Sequence, residues 1–369
     1  MGASLAPLIR GLLAVLVVVV VVVHDDYGVT WDETVEQVVR NKGPRTFDFW
    51  FGGFEMADAM FDTGHNPSTA FLFHTGRGLL AAVGWDMAPD DAYHLFTALI
   101  WLLGAVFAHR IAVRFLPERW AALAVLLLVL TPRWFGHGFA NFKDVPFAVA
   151  WLACLDTLLA AVEKPDWRRV LLHGVALGAL LAVRIGGLLF LPISGIGLLL
   201  ATSIPMGTRL QRGAAAVGVA LLIHHLSYPY VLLRPVSGFL ELIAAQQHFD
   251  WAGSTLTAGQ AMFAKQLPFW YAGWWLLVTL PEVVLLGLAS GLVFTRKRPK
   301  PPMLLLLLTV LFPLLYVTVA RAPLYDGIRH VLFVVPPLVL LATMGLHAAA
   351  QRLPGVEVVT VLGAAWALY

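Results

Sequence analysis

The chain has 369 residues, 59% of them hydrophobic and only 13% charged, with a formal net charge of +3. Soluble domains average about 45–50% apolar and about 25% charged residues. The composition therefore excludes an ordinary water-soluble domain, and the small basic excess reflects loop charge rather than a nucleic-acid-binding surface. The single cysteine, Cys154, excludes an intrachain disulfide and a cysteine-based metal cluster, and its apolar surroundings mark it as a buried, inert thiol.

A bilayer core of about 30 Å asks for roughly 20 apolar residues per helix. Apolar runs at 5–23, 92–113, 119–134, 145–162, 169–183, 185–203, 213–231, 269–295, 303–320, 330–349 and 356–369 approach or meet that length. They predict an all-α polytopic membrane protein of about 10–11 transmembrane helices, with 1–369 as a single transmembrane module. The first run contains Arg10, continues apolar and closes in unbroken valine, Val17–Val23, with no small-residue cleavage pattern, so it reads as an uncleaved helix. Valine is a weak helix former in water, but lipid forces every backbone group to be satisfied internally.

The first run exits into "HDDYGVTWDET", which crowds Asp25, Asp26, Asp32 and Glu33 together. The segment 24–91 forms a first large loop. Within it "WDETVEQVVRNKG" predicts a short helix closed by Gly43, and "TFDFWFGGFEMADAMF" mixes aromatics with acids as headgroup-zone helices do. A second large loop spans 232–268 and includes "QQHFDWAGSTLTAG". The run 269–295 is interrupted at Pro281-Glu282, which predicts an interfacial piece followed by a true span. The last run stops at Tyr369 without a polar flank, which gives the expectation of a missing C-terminal part.

With the N-terminus in the cytoplasm, the densest basic cluster, Arg296, Lys297, Arg298 and Lys300, falls inside, as the distribution of Lys and Arg requires. The same alternation puts four polar segments on the outer face: "DDYGVTWDE"; "RWFGHGFANFKDVPFA" with His137, Asn141, Lys143 and Asp144; the loop with His248, Asp250 and Trp251; and "RAPLYDGIRH" with Arg321, Tyr325, Asp326, Arg329 and His330. Arg184, in "LLAVRIGGLLF", lies at the outer boundary, where it either snorkels to headgroups or serves a site. Singly, each feature has an ordinary explanation. Asp25 and Asp26 mark a membrane exit, Asp144 suits a helix start, and His173, His224, His225 and His347 suit packing. Together, carboxylates and cations on one face point to a phosphate-bearing, hydroxyl-rich ligand. Arg and Lys hold the phosphate and a carboxylate accepts a hydroxyl proton.

These segments resemble the GT-C class of membrane glycosyltransferases, nearest the glycosyltransferase-39-like enzymes that include protein O-mannosyltransferases and lipid A aminoarabinose transferases. "TWDE" (Thr30–Glu33) matches their Asp-Glu pair after the first helix. "NFKDVPFA" is similar to Asn-Pro-Lys-Asp-x-Pro, with Phe142 in place of proline, and "LPFWYAGWWLLVTLPE" and "YDGIRHVLFVVPPL" resemble two later motifs. The resemblance covers about residues 20–345. It implies a GT-C-like bundle with juxtamembrane helices, a polyprenyl-phosphate sugar donor, a hydroxyl acceptor, and inverting transfer on the extracytoplasmic face of a bacterial inner membrane. It implies Asp32 as general base with Glu33 beside it. Lys143, Arg329, His330, Arg321 and Arg184 would hold the donor phosphate, and Asp144, Asn141, His137, Tyr325, Asp326, Trp251 and His248 would contact sugar or acceptor. No cofactor is required by the motifs. A divalent metal between Asp32 and Asp144 stays open.

Two other classes compete. A transporter or flippase of a lipid-linked substrate would share a cationic groove, but it predicts repeat symmetry and helices broken near midplane. A noncatalytic homologue would be expected to lose "WDE", "KD" and "RH", and all three are present.

Overall fold

The computed structural model describes residues 7–29, 42–52, 67–247, 253–294 and 299–367. Helical backbone occupies each of the eleven predicted runs. In chain order the helices are α1 (Pro7–Val23), α2 (Lys42–Phe47), α3 (Ser68–Ala82), α4 (Pro89–Ala112), α5 (Glu118–Val129), α6 (Pro132–Ala140), α7 (Asp144–Glu163), α8 (Trp167–Val183), α9 (Phe190–Leu200), α10 (Met206–Ser227), α11 (Pro229–Leu233) and α12 (Ser237–Gln247). After a hairpin of β1 (Ser254–Thr257) and β2 (Gln260–Phe263) come α13 (Tyr271–Thr279), α14 (Glu282–Phe294), α15 (Pro301–Val319), α16 (Val335–Ala350) and α17 (Val356–Trp366).

Among the described residues, four helical segments are long and apolar enough to cross a membrane: α4, α7, α15 and Arg329–Ala350. Two bent pairs raise this to six, and Ile9–Val23, Ile185–Leu200 and Val356–Trp366 are shorter apolar helices. Both bends stand at prolines. α5 and α6 meet at 64° across Thr131-Pro132, and α13 and α14 meet at 117° across Leu280-Pro281. Proline offers no N–H to the preceding turn and turns the residue before it away from helix. The interruption expected at Pro281-Glu282 is this second bend.

The chain divides into two compact units: one from Met1–Val19, Trp101–Gly138 and Asp250–Tyr369, the other from Val20–Ile100 and Phe139–Phe249. In the second unit, α8 packs on α7 and α10. Gly174 and Gly178 lie one turn apart on α8, where an added Cβ would press on the backbone of Ala216 and Ala220 of α10. Small residues spaced by four let helix backbones approach closely in lipid, where packing rather than the hydrophobic effect holds helices together. His173, on the same helix, bonds Thr157 of α7 at 3.1 Å and Ser194 of α9 at 2.9 Å, tying three helices. It is a packing residue, as is His224, which reaches the Leu181 carbonyl. Cys154 is buried.

In the first unit, α16 packs against α14. A Cβ at Gly345 would overlap the Gly287 carbonyl, while one at Gly291 would meet only the Gly345 Cα at an ordinary 3.7 Å. α15 closes in a Schellman turn: Ala322 N–H donates to Val317 O (3.1 Å) and Arg321 N–H to Thr318 O (3.4 Å). The residue at the left-handed position of that turn is Arg321, with φ 48°. Glycine normally takes this place, and an L side chain there costs on the order of 1 kcal/mol.

Two local expectations change. Gly43 does not close a helix; it lies inside α2, where a Cβ would collide with the Ala70 carbonyl of α3. The glycine is there for helix contact, not for a cap. The second loop contains an antiparallel hairpin, with Thr257 paired to Gln260 across Ala258 (φ 50°) and Gly259 (φ 77°). Two successive positive φ values match the right-handed twist of a tight hairpin. Trp275 of α13 donates to Thr257 Oγ1 at 3.3 Å and seats the hairpin on that helix.

Candidate active site

In the second unit the site builds around the turn between α6 and α7. Asn141 Oδ1 accepts the N–H of Asp144 at 2.8 Å and that of Lys143 at 3.4 Å, and Asn141 Nδ2 donates to Asp144 Oδ2 at 2.9 Å. This is a reciprocal cap. The amide satisfies the first donors of α7, and the acid in its first turn returns the bond. Pro146 needs no donor at its place in the same turn.

The other oxygen of Asp144, Oδ1, accepts from Arg184 Nη1 in an ion pair. Arg184 stands where α8 ends, with extended backbone (φ −152°, ψ 139°) before the 3₁₀ turn Ile185–Leu189. Asp144 is 3% exposed and Arg184 22%. Snorkelling is therefore corrected: the guanidinium turns inward to a buried carboxylate, because a charge at this depth is stabilised most by a paired, hydrogen-bonded partner. Ser68, at the start of α3, donates to the Ala182 carbonyl just before Arg184 and fixes the end of α8.

Lys143 and Asn141 are buried with Asp144. Phe142, in place of the expected proline, anchors the turn by inserting into an aromatic cluster with Tyr93 (5.1 Å between ring centroids) and through it Phe73 (5.2 Å). The exit from α1 is held nearby. The Tyr27 ring stacks on Phe139 at 4.5 Å and meets His94 edge-on at 6.2 Å, and burial raises the Tyr27 phenol pKa above its ordinary value. Asp25 and Asp26 are exposed, as a membrane exit implies.

In the first unit a second cluster forms at Tyr325–His330. Asp326 and Gly327 both take positive φ, 56° and 68°, and turn the chain so that Arg329 donates back to Asp326 Oδ2 at 3.2 Å. Arg329 is 6% exposed and Asp326 56%. Tyr325 packs edge-on against His330 at 4.2 Å. His137 is half-buried in the last turn of α6. Arg321 is not part of the Tyr325–His330 turn. It lines a cleft of about 460 Å³ with Lys265, Gln266, Thr318 and Tyr271.

Asp32, Glu33, His248 and Trp251 lie outside the described residues. Among the described residues no group of three or more His, Cys, Asp or Glu is placed to hold a metal. The Arg184–Asp144 partnership and the Tyr27–Phe139 stack have no sequence signal, since each joins distant segments. The Asn-x-x-Asp cap has one, in its spacing alone.

Asp144 and Arg184 thus pair beside the Asn141–Asp144 turn, in a helical bundle with apolar helices of membrane length. The family model described as Dolichyl-phosphate-mannose-protein mannosyltransferase matches residues 78–228, which contain this whole cluster. The crystal structure of ArnT from Cupriavidus metallidurans bound to undecaprenyl phosphate superposes with a TM-score of 0.67 at 19% identity, covering 96% of this chain and 62% of that one. The chain has the GT-C glycosyltransferase fold. The apo form of the same ArnT gives 0.64 at 18% identity, with the same coverage. The apo Archaeoglobus fulgidus oligosaccharyltransferase gives 0.53 at 10% identity, covering 84% of this chain and 46% of that one. The chain thus spans about three-fifths of the ArnT chain, 62%. No curated protein sequence matches it.

Proposed function

We propose that this GT-C protein transfers a sugar from a polyprenyl-phosphate donor to a hydroxyl acceptor at the extracytoplasmic face of the membrane. The observation that carries the reading is the buried Asn141–Asp144–Arg184 assembly, inside the segment that matches the mannosyltransferase family and within a fold shared with an ArnT that binds undecaprenyl phosphate.

In this reading Asp32 removes the proton from the acceptor hydroxyl as its oxygen attacks the anomeric carbon. The bond from that carbon to the donor phosphate oxygen breaks, polyprenyl phosphate departs with the electron pair, and the anomeric configuration inverts. Charge growing on the leaving phosphate is stabilised by cations held in place beforehand. Arg329 suits the task because Asp326 already orients its guanidinium, and His330 is braced by Tyr325. Within the second unit, Lys143 is the candidate phosphate-binding cation. Asp144 has both oxygens engaged, so its role is to fix Arg184 and the turn bearing Lys143. Glu33, Asn141, His137, Tyr325, Asp326, Trp251 and His248 are the candidates for contacting sugar or acceptor.

The deciding experiment is Asp32→Asn in the purified chain, assayed for sugar transfer from polyprenyl-phosphate sugars to hydroxyl acceptors. Transfer falling by at least a hundredfold, with normal membrane insertion, is expected from loss of a general base, about 10²–10⁴-fold. Undiminished transfer sinks the assignment.

A further inference from the structure

We propose that the β1–β2 hairpin is a positioning element for Arg329: through Thr257 and Trp275 it sets the Asp326-Gly327 turn from which that guanidinium is presented. It rests on the reading of Arg329 as a cation for the donor phosphate. Thr257 and Trp275 act through Arg329 and not on the donor.

The first observation is which face the hairpin turns inward. Along β1, Thr255 and Thr257 are buried while Ser254 and Leu256 are exposed, and Phe263 on β2 is exposed as well. Strand alternation thus turns hydroxyls in and leucine out. A strand held by the burial of apolar surface does the reverse. A buried hydroxyl is costly without a hydrogen-bond partner, so its place inside is explained by what it bonds. For Thr257, fully buried, that partner is the indole N–H of Trp275, which donates to Oγ1 at 3.3 Å.

The second observation is what the indole then touches. Trp275 lies against Gly327, where an added Cβ would stand 3.3 Å from ring carbon Cε3 and 3.5 Å from Cδ2. The ring therefore packs on bare backbone. Gly327 (φ 68°) follows Asp326 (φ 56°), and such left-handed residues persist only where their surroundings hold them. Tyr271, one turn before Trp275 on α13, is buried with Leu324, shortly before the turn. Hairpin, α13 and turn all belong to the first unit.

The third observation is what the turn carries. Its closure brings the Arg329 guanidinium back to Asp326 Oδ2 at 3.2 Å, with Arg329 buried. A cation that stabilises a leaving phosphate must be aimed before the charge develops, and a small displacement of it is costly. Without Thr257 the indole loses the bond that fixes its rotation, and the support under Gly327 is no longer held.

The test uses the purified full chain in detergent, with undecaprenyl phosphate, the lipid of the matched ArnT complex, as the probe. Binding is followed by native mass spectrometry, with backbone amide exchange and melting temperature measured on each variant. Thr257→Val keeps the side-chain shape but offers no acceptor. It should weaken binding about twofold to tenfold, the fold-change of one neutral hydrogen bond, and speed exchange selectively within 325–331. Thr257→Ser should restore both. In an Arg329→Gln background, Thr257→Val should have no further effect on binding. If Thr257→Val melts lower than the parent, Trp275→Phe carries the same comparison, because it removes the donor and keeps a ring under Gly327. Weaker binding in Arg329→Gln with no change in Thr257→Val or Trp275→Phe overturns the proposal and leaves the phosphate reading of Arg329 standing. Unchanged binding in Arg329→Gln removes that reading, and the positioning role with it. Exchange that rises evenly along the chain marks a bond that only stabilises the fold and overturns the proposal. A full effect of Thr257→Val in the Arg329→Gln background does the same.

Discussion

Asp144, in the first turn of α7, holds Arg184 at the break after α8, forty residues further along the chain. The pair joins two helices at one end of the second unit. Removing one partner of a buried pair leaves the other charge unsatisfied, at a cost of about 3–5 kcal/mol. Arg184 keeps some solvent contact, which favours the lower end, about 3 kcal/mol. Asp144→Asn and Arg184→Gln should each destabilise the purified protein by that order in denaturant unfolding, and the double variant by less than the sum. Additive effects would mean that the two side chains do not act as a pair.

The glycine contact between α14 and α16 separates two substitutions that look alike in sequence. Gly345→Ala places a methyl on the Gly287 carbonyl and forces the helices apart, costing about 1–3 kcal/mol. Gly291→Ala meets only ordinary contact, and alanine favours helix over glycine by about 1 kcal/mol. Thermal melts should therefore fall for the first and hold or rise for the second. Equal losses would argue against the close approach.

Arg329 is held by Asp326 within a single tight turn. If it meets the leaving phosphate, Arg329→Gln should lower kcat/KM for the donor by about tenfold to a hundredfold, the span of a charge-assisted hydrogen bond of about 1.5–3 kcal/mol. Asp326→Asn should cost less, because it loosens the guanidinium without removing it. Donor kinetics with melting temperatures measured alongside decide the point, and a loss of stability without a kinetic change would make Arg329 structural.

Much of this architecture is legible in one dimension because lipid acts as a single uniform solvent. Apolar runs locate α4, α7, α15 and α16, and Pro281 marks its bend. Helix ends are equally local: Asn141 and Asp144 are three residues apart and cap each other. Gly43 misled because glycine has two uses, ending helices and admitting neighbours, and only the position of Ala70 decides between them. Arg184 was ambiguous for the same kind of reason. Snorkelling and pairing give the same sequence, and its partner is distant in the chain. The hairpin at 254–263 escaped notice because its two four-residue strands are too short for alternation to stand out.

Asp166 offers a pH-dependent test on the loop between α7 and α8. It caps α8 by accepting the Arg169 N–H at 2.9 Å and pairs with the Arg169 guanidinium. The Arg169 N–H bond is the main cause that lowers its pKa below the ordinary aspartate value, with the Arg169 charge assisting. A depressed folded pKa means that the acid stabilises the protein when ionised. The contribution is complete above the ordinary value of about 3.9 and fades as pH falls below it, through the folded value. Asparagine caps helices nearly as well but does not titrate. Melting temperatures of the parent and of Asp166→Asn, compared from neutral pH to pH about 3, should be separated above pH about 4 and converge below it. Because the carboxylate is solvent-exposed, the separation should be small and should shrink with added salt. Curves that stay parallel throughout would show that ionisation of Asp166 contributes nothing to the cap.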